Sequence, residues 1–395
     1  MAIDEQRRDF LKWGALVAAV GASPARGSAK AKKPTSKKSV RKKLPKRVVQ
    51  YLRRLYAEDR RAYAFRDDYR GGFGRWQKDA RPALCRLIGL DKIATLADGH
   101  EPKVDLEEPE DQGQYTRQRG RIETEPDVVI PFWLLKPSGQ GPFPLALFPH
   151  GHDPIGHDTS AGVYHSEAHR RKSLANDRDV TVQAVKKGFL AIAPATRGFS
   201  VDGVPDVANR HGGRDCRSQV MHCLMVGRTA IGERVWDVQR IMDWASALTE
   251  IDAKRLLMMG NSGGGVVTIY AAACDKRVTI AVPSCSFCSF VSREGRIYHC
   301  DCDMVPGILE FGEFYDIAGL IAPRRLLIVN GRKDTLFEAS DVTRAVNRVR
   351  TIYKAAGRPE CFQYRWGSAG HRFYKDLMWP FVLKAMKTSG PPLQG

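Results

Sequence analysis

The sequence predicts an α/β protein in which a mostly parallel central sheet carries helices on both faces and follows an N-terminal helical extension. Short apolar runs without charge, such as 256–259, are typical of strands buried on both faces of a parallel sheet. Segments with helical periodicity stand between these runs. With 395 residues, of which 43% are hydrophobic, the chain can form one large α/β domain with extensions.

The first 29 residues have the layout of an export signal. The segment Arg7-Arg8-Asp9-Phe10-Leu11-Lys12 precedes an apolar run, 13–22, and then small residues up to Ala29. The paired arginines resemble a twin-arginine signal, and the apolar run is too short to anchor the chain in a bilayer. We therefore predict a twin-arginine-type signal peptide at 1–29, contact with the export machinery, and a periplasmic or extracellular location. An ordinary amphipathic helix is the alternative.

A basic segment follows the predicted signal. Residues 30–47 contain ten Lys or Arg and no acidic residue, against a net charge of +19 for the whole chain. The charge excess therefore says little about the folded domain, and we predict no nucleic-acid partner. The composition predicts a disordered, solvated linker. A tether to anionic lipid or cell-wall polymer is the alternative.

Residues 48–123 are predicted to form an N-terminal helical extension with one edge strand. Helical spacing covers 48–65 and 73–90, although Pro82 interrupts the second helix. An acidic polar stretch, 101–114, leads to an alternating segment at 115–123 that indicates an edge strand. The catalytic domain is then predicted to span 124–390.

The serine motif at 260–264 is the centre of the predicted site. Gly260-Asn261-Ser262-Gly263-Gly264 follows the strand at 256–259 and precedes a helix at 266–273. G-x-S-x-G between a strand and a helix is the nucleophile elbow of an α/β-hydrolase. Small residues flank the serine because the turn is too tight for bulky neighbours. This predicts Ser262 as nucleophile and the Gly263 N–H as an oxyanion donor. A glycine-rich turn in which Ser262 merely caps the helix is the alternative.

A second oxyanion donor is predicted after an earlier strand. The strand at 128–135 contains Pro131, which suggests an edge position. The next strand, 144–149, runs directly into His150-Gly151-His152. In this fold the loop at that place supplies one oxyanion N–H, and here it would come from Gly151 or His152.

The same region is rich in histidine, so a metal must be considered. His150, His152, His157, His165 and His169 include spacings that can bind zinc. The stretch reads as a loop and contains no H-E-x-x-H motif. We therefore predict pocket-lining or surface histidines, no metal and no cofactor, and keep metal-dependent hydrolysis as an alternative.

The middle of the chain supplies the next elements. A helix is predicted at 181–187 and a buried strand at 188–194. Residues 197–228 read as a long polar loop that could wall the substrate site. An amphipathic helix at 233–249 carries an aromatic stripe that is more typical of core than of a ligand site.

The chain has nine cysteines, and four of them follow the strand predicted at 278–283. The close pairs Cys285 with Cys288 and Cys300 with Cys302 can mimic a zinc site. Their irregular spacing and the predicted oxidising compartment favour a disulfide between Cys288 and Cys300 or Cys302. With nine cysteines, at least one is unpaired within the chain.

The acid and base of the site are predicted after two late strands. The strand at 325–331 is followed by Asp334, where an acid would orient the histidine, with Glu338 as competitor. A last strand at 361–366 leads to His371, the expected general base. Helices are predicted at 342–356 and 373–387.

Together these motifs resemble the acetyl xylan esterase and dienelactone-hydrolase-like branch of the α/β-hydrolases, and more narrowly exported bacterial acetylesterase-like proteins. The resemblance covers about residues 48–390. The stretches that carry it are H-G-H at 150–152, W-D-V-Q-R-I-M-D-W at 236–244, I-D-A-K-R-L at 251–256, G-N-S-G-G-G at 260–265, H-C-D-C-D-M-V-P-G-I-L at 299–309, L-I-A-P-R-R-L-L-I-V-N-G-R-K-D at 320–334 and A-G-H at 369–371.

The resemblance implies Ser262 as nucleophile, Asp334 as acid and His371 as base. Dienelactone hydrolases use a cysteine nucleophile, so the serine favours ester hydrolysis over lactone opening. We predict a serine acetylesterase acting on small-molecule or polysaccharide esters, in particular acetylated carbohydrate. The alternatives are a prolyl-oligopeptidase-like serine peptidase, although the chain has no room for a β-propeller, and an inactive exported binding protein.

Overall fold

A ten-stranded sheet is the centre of the computed structural model, which describes residues 44–199 and 204–388. The predicted signal at 1–29 and most of the predicted linker lie outside these residues. The described strands are β1 (Lys103–Leu106), β2 (Glu110–Asp111), β3 (Tyr115–Glu125), β4 (Val128–Pro137), β5 (Phe143–Leu147), β6 (Leu190–Pro194), β7 (Ile251–Asn261), β8 (Ile280–Ser284), β9 (Arg325–Gly331) and β10 (Phe362–Gly367).

The strands lie in the order β1-β3-β4-β6-β5-β7-β8-β9-β10, and β2 pairs with β3. From β6 to β10 every neighbouring pair is parallel, whereas β1, β2, β3 and β4 pair antiparallel. Parallel strands point their carboxyl ends to the same edge. The loops after β5, β7, β8, β9 and β10 therefore meet at one edge of the sheet, where ligands bind in open α/β sheets.

Helices cover both faces of this sheet, as the sequence predicts. The described helices are α1 (Lys46–Leu55), α2 (Gly72–Leu87), α3 (Leu90–Leu96), α4 (Gly156–Ser160), α5 (Glu167–Ala175), α6 (Val180–Val185), α7 (Asp215–Met225), α8 (Ala230–Ser246), α9 (Gly263–Cys274), α10 (Ile308–Phe311), α11 (Phe314–Gly319), α12 (Ala339–Ala355) and α13 (Lys375–Thr388).

Strand β7 shows how the two cores are filled. Leu256 and Met258 pack in one core with α2, α8, α9 and α12, whereas Leu257 and Met259 pack in the other with α6 and α13. All four side chains are fully buried. Successive residues of a strand face opposite sides, so an uncharged run suits a strand covered on both faces.

Two edge-strand predictions are wrong. Strand β3 is not an edge, because β1 and β2, which form within the stretch predicted as acidic and polar, pair on its outer side. Strand β4 lies between β3 and β6, despite Pro131. The Pro131 carbonyl accepts from Ala195, which lies just past the end of β6. The hydrogen bond that the proline cannot make is the reciprocal one to the Ala195 carbonyl, beyond the last residue of β6, so the pairing along β6 itself is kept.

Other segments are more helical than the sequence suggests. The region 150–169, predicted as a loop, holds α4 and the start of α5, and the Ser166 hydroxyl caps α5 by accepting from the His169 N–H. The region 197–228, predicted as a polar loop, contains α7.

Helix α1 begins at Lys46, inside the predicted linker, and the boundary predicted at 123/124 lies within β3. The aromatic stripe of α8 packs in the core, as predicted: Trp236 is buried and Trp244 packs against the same cluster.

Among the helices of the described residues, none combines the length and the apolar character needed to cross a membrane.

Glu313, at the start of α11, gives a pH-dependent contribution to stability. Burial raises the pKa of this carboxyl to about 7, although the N–H groups of Phe290 and Phe314 and the Arg61 charge oppose the shift, and nearby Asp316 adds to it. A folded-state pKa above the unfolded value means that the folded protein binds more protons between about pH 4.5 and pH 7. Glu313 therefore stabilises the fold most at low pH and loses this contribution as the pH rises through that window.

We expect the Glu313→Gln substitution to remove this pH dependence. The stability advantage of wild type over the variant should fall by up to about 1.4 kcal/mol per pH unit as the pH rises from 4.5 to 7. Urea unfolding of both proteins across this range measures it. A difference that stays constant or grows with pH would contradict the raised pKa.

Candidate active site

Ser262 occupies a strained turn between β7 and α9. Its backbone has φ +58° and ψ −129°, an unusual conformation for a residue with a Cβ. The Ser262 N–H donates to the Ser284 carbonyl at 2.9 Å, which ties the turn to β8. The hydroxyl makes no capping hydrogen bond to α9, so the structure does not support the helix-cap alternative. The geometry matches that of a nucleophile elbow.

The glycines around the serine allow the backbone to pack closely. A Cβ on Gly260 would lie 2.2 Å from the Gly264 carbonyl oxygen, and one on Gly264 would lie 2.0 Å from the Pro149 carbonyl oxygen. A Cβ on Gly265 would lie 2.2 Å from Ser286 Oγ. Real side chains do not tolerate such distances. The glycines therefore let the elbow contact the turn after β5 and the loop after β8 directly.

Asp334 and His371 form a hydrogen-bonded pair at the same edge of the sheet. Asp334 Oδ2 lies 2.7 Å from His371 Nδ1. The aspartate side chain is 3% exposed and the histidine side chain 29%. The competitor Glu338 instead pairs with Arg296 at 3.0 Å. Because the carboxylate accepts at Nδ1, that nitrogen carries the proton and Nε2 is left as the basic nitrogen.

Backbone hydrogen bonds join the two loops that carry this pair. The Arg332 N–H donates to the Gly367 carbonyl at 2.9 Å, and the Lys333 N–H donates to the Ala369 carbonyl at 2.9 Å. The Tyr374 hydroxyl also donates to the Gly370 carbonyl at 2.5 Å. The loop after β9 and the loop after β10 therefore hold the acid and the histidine in fixed relative positions.

Ser262 and His371 line one small cavity of about 110 Å³, whose walls also include Gly151, His152 and Phe373. No hydrogen bond joins the serine hydroxyl to His371 among the described residues. Such contacts often tighten only when substrate is bound. Ser262 also lines a second, larger cavity of about 660 Å³.

The turn after β5 contacts the elbow. A Cβ on Gly151 would lie 3.0 Å from Ser262 Cβ and 3.1 Å from the Gly263 nitrogen. Among the described residues, the N–H groups of Gly151 and His152 donate to no protein acceptor. The N–H of Gly263, at the first position of α9, has no partner within the helix. Free N–H groups from both sides of the serine are what an oxyanion hole requires.

Buried His150 holds this turn in place. The Thr196 N–H donates to His150 Nε2 at 2.9 Å, so the other ring nitrogen carries the proton and donates to the Gly151 carbonyl at 2.8 Å. Burial lowers the pKa of His150 to about 3, which keeps the ring neutral. The Gly151 carbonyl also accepts from the Asp153 N–H. That carbonyl is thus engaged, while the neighbouring N–H groups remain available.

The larger cavity has walls that sequence reasoning only partly identified. The segment predicted to wall the site does so through Arg214 and Cys216, but Arg197 is buried elsewhere. Phe199 belongs to the same segment and also lines the cavity, although the prediction did not name it: its ring lies 4.0 Å from the His152 ring, and Arg234 stacks on its face at 3.9 Å. The remaining lining residues include Tyr298, His299, Asp303, Leu336 and Phe337.

The cysteine prediction is wrong. All nine cysteines are free thiols, and Cys288 is not grouped with Cys300 or Cys302. Cys300 and Cys302 lie instead beside Cys216 and His152. Cys216 is 84 positions before Cys300, so no local spacing could have revealed this cluster.

Residues 29–375 match the model of the Abhydrolase family. The chain belongs to this family. The membership confirms the predicted α/β-hydrolase fold class and the resemblance on which it rested.

Three similar proteins can be named. YtaP of Bacillus subtilis, an inferred hydrolase, is 24% identical over 303 residues, which cover 74% of this chain and 93% of that protein. A solved structure from Bacteroides fragilis, inferred to be an acetyl xylan esterase, has a TM-score of 0.64 and 18% identity over 85% of this chain and 93% of that one. A solved methylesterase has a TM-score of 0.62 and 19% identity over 86% of this chain and 68% of that one. At these identities the solved structures show a shared fold.

Proposed function

We propose that this protein is a serine carboxylic-ester hydrolase, specifically an acetylesterase acting on acetylated carbohydrate through an acyl-enzyme intermediate. The observation that carries the proposal is the 2.7 Å Asp334–His371 hydrogen bond at the sheet edge where the strained Ser262 turn also lies. Serine, aspartate and histidine follow one another along the chain as Ser262, Asp334 and His371, which is the order of α/β-hydrolases. The description of one solved relative as a methylesterase, and of another as an inferred acetyl xylan esterase, supports ester chemistry.

In the proposed mechanism, His371 Nε2 takes the Ser262 proton as the hydroxyl attacks the ester carbonyl. Asp334 holds the imidazole orientation and stabilises its charged form. The N–H of Gly263, together with that of Gly151 or His152, stabilises the oxyanion by about 3–4 kcal/mol per donor. His371 then returns the proton to the leaving alcohol. A water molecule, activated by the same imidazole, releases the acid, so this sequence of steps uses only protein side chains and water.

The two cavities suggest where the acyl group and the alcohol of an ester substrate would bind. The small cavity of about 110 Å³ has room for only a few heavy atoms, which suits a short acyl group. The larger cavity of about 660 Å³ is of the size that binds a substantial ligand. Its rings, Tyr298 and Phe337, can stack on sugar faces. We therefore assign the acyl group to the small cavity and the carbohydrate alcohol to the large one.

The test is hydrolysis of p-nitrophenyl esters from acetyl to octanoyl, followed by acetylated xylo-oligosaccharides and methyl esters of uronic acids. We expect kcat/KM to be highest for acetyl and to fall steeply once the acyl chain exceeds the small cavity. A preference for methyl uronates would keep the esterase but overturn the acetyl assignment. No hydrolysis, with no labelling by a fluorophosphonate, would overturn the proposed enzyme.

Gly264 provides a test of the oxyanion turn. The Gly264→Ala substitution places a Cβ 2.0 Å from the Pro149 carbonyl oxygen and 2.8 Å from the His150 carbonyl carbon, so the turn before Gly151 must move. We expect kcat for p-nitrophenyl acetate to fall about 10²- to 10³-fold, the loss typical of one oxyanion donor.

The matched control is Gly74→Ala in the first turn of α2, where a Cβ would have no atom within 4 Å. This change should leave kcat unaltered and raise the free energy of unfolding by about 0.5–1 kcal/mol. Equal kcat values for Gly264→Ala and wild type would show that the turn plays no part in catalysis.

We also propose that residues 1–29 export the protein through the twin-arginine route. The support is the arginine pair at 7 and 8 and the short apolar run that follows it. Replacing both arginines by lysine keeps the charge but removes the paired guanidinium groups. We expect the double variant Arg7→Lys/Arg8→Lys to accumulate in the cytoplasm as an uncleaved precursor. Fractionation and N-terminal sequencing measure this, and normal export of the variant would contradict the proposal.

A further inference from the structure

One histidine and three cysteines from three separate segments meet beside the larger cavity, whose wall includes His152, Cys216 and Cys300. The ligand atoms of His152, Cys216, Cys300 and Cys302 all lie within 4.8 Å of one another. Cys302 Sγ lies 3.3 Å from His152 Nε2. We propose that these four side chains bind a structural zinc ion. This inference goes beyond the proposed esterase activity and does not depend on it.

The donor set and its dimensions suit zinc. Three thiolates and one imidazole form one of the recurrent structural zinc sites, with Zn–S near 2.3 Å and Zn–N near 2.0–2.1 Å. A tetrahedron with those bonds has ligand–ligand edges of about 3.4–3.8 Å. The observed 3.3 Å contact and the 4.8 Å limit accommodate these edges with small side-chain shifts. Four protein ligands fill the tetrahedron, which is typical of a structural site rather than a catalytic one.

Apart from the partly exposed Arg217–Asp301 ion pair, the three segments are held together mainly by a small core. His152 lies in the turn after β5, Cys216 in the first turn of α7, and Cys300 and Cys302 beside a short 3-10 helix at Asp301–Asp303. The apolar cluster behind them is small and contains mostly short side chains: Cys216, Val220, Cys223, Ala230 and Cys302. Hydrophobic burial of so few atoms gives limited stabilisation, so a metal crosslink would supply what the local core lacks.

The surroundings suit an anionic metal centre. A zinc ion with three thiolates and a neutral histidine carries one negative charge. Arg234 is fully buried beside the cluster, and its Nη1 donates to the Cys302 carbonyl at 3.2 Å. Asp303 Oδ1 lies 3.6 Å from the same nitrogen, so the Arg234 guanidinium contacts both the Asp303 carboxylate and the Cys302 carbonyl. A buried cation next to the thiolates lowers the cost of their charge.

A disulfide is the rival account of these cysteines. Any disulfide among Cys216, Cys300 and Cys302 would leave one thiol alone beside His152, whereas a zinc ion would use all four groups. Zinc bound at His152 Nε2 would leave the proton on Nδ1. This nitrogen lies close to the elbow: it would be 3.4 Å from a Cβ placed on Gly263. The metal would thus fix the turn that faces the elbow.

The experiment uses the full chain, incubated with Zn²⁺ and freed of excess, and measures bound metal by mass spectrometry. We expect one zinc ion per chain in wild type and in Cys288→Ala, a control whose cysteine is as fully buried as Cys302 but lies outside the cluster. Cys300→Ala and Cys302→Ala should each lose stoichiometric zinc. Replacing Zn²⁺ with Co²⁺ in wild type should produce thiolate-to-cobalt charge-transfer bands and the strong visible bands of tetrahedral cobalt.

Several results would overturn the proposal. One is wild type without bound zinc and without cobalt–thiolate bands after incubation. Another is equal zinc in wild type and Cys300→Ala. Thiol titration of the denatured, chelated protein separates the disulfide account: we expect all nine cysteines to react, and seven would overturn the zinc site. The cobalt spectrum and thiol count of wild type decide the question even if a variant fails to fold.

Discussion

Replacing Ser262 with alanine is expected to lower kcat for ester hydrolysis by about 10⁴- to 10⁶-fold and leave the fold intact. The substitution removes the attacking oxygen and retains Cβ. The Asp334–His371 pair and the oxyanion N–H groups remain, so residual turnover above the uncatalysed rate should persist. Steady-state kinetics with p-nitrophenyl acetate measure the loss. Wild-type kcat in Ser262→Ala would exclude Ser262 as the nucleophile.

Ser262→Gly is the companion variant, because it separates the chemistry from the backbone strain. A residue with a Cβ at φ +58° stores strain of order 1–3 kcal/mol, which glycine would relieve. Part of this stabilisation is offset because glycine has more conformational freedom in the unfolded chain, which lowers the free energy of unfolding by about 0.5–1 kcal/mol. Both variants should keep only the residual turnover expected without the serine hydroxyl, yet Ser262→Gly should resist urea better than Ser262→Ala. Equal unfolding midpoints would mean that the turn holds no strain.

Replacing Arg197 with alanine is expected to destabilise the protein by about 3–5 kcal/mol. The Arg197 side chain is 5% exposed and pairs with Asp237, with Glu125 at 2.8 Å and with Glu233 at 3.6 Å. Arg228 also contacts Glu125 at 2.7 Å. Without Arg197, three buried carboxylates would share the single Arg228 cation. The uncompensated negative charge is the source of the loss.

Urea unfolding measures this effect, with Arg75→Ala as the matched control. Arg75 pairs with Asp79 at 2.8 Å on an exposed face of α2, where solvent screens the two charges and the pair adds little stability. Adding Asp237→Asn to Arg197→Ala should restore part of the stability, because it removes one unpaired charge. If both arginine variants lose the same small amount, the buried network is not what stabilises this region.

How well each element could be predicted depends on how local its signal is. The strand, turn and helix around Ser262 are encoded in eighteen consecutive residues, 256–273, and the structure places them as predicted. The stretches leading to Asp334 and His371 are likewise local, and the structure brings these two side chains together. Their catalytic roles stay predictions. The confirmed fold class follows from the same alternation of apolar runs and helical segments.

Predictions failed where the answer depended on distant neighbours. Pro131 suggests an edge strand, but an edge is defined by what pairs alongside, and β6 comes about sixty residues later. Arg197 reads as a loop cation because its carboxylate partners lie on β3 and α8. The disulfide predicted between Cys288 and Cys300 or Cys302 is wrong because the two later cysteines lie beside Cys216 and His152, which are distant in the sequence. Charge pairing and the clustering of cysteines arise in three dimensions, and the spacing of residues in a single sequence does not record them.

The backbone bonds between the loops after β9 and β10 affect how this site could change in evolution. Arg332 and Lys333 bind the loop that carries His371. These bonds keep the acid and the base together, and the Ser284 hydroxyl, which donates to the Arg372 carbonyl at 3.0 Å, ties β8 and the Ser262 turn to the same loop. Insertions in the cavity walls can alter which ester fits without disturbing the hydrogen bond between Asp334 and His371. A chain built this way can acquire new substrates through wall mutations while its reaction chemistry is inherited unchanged.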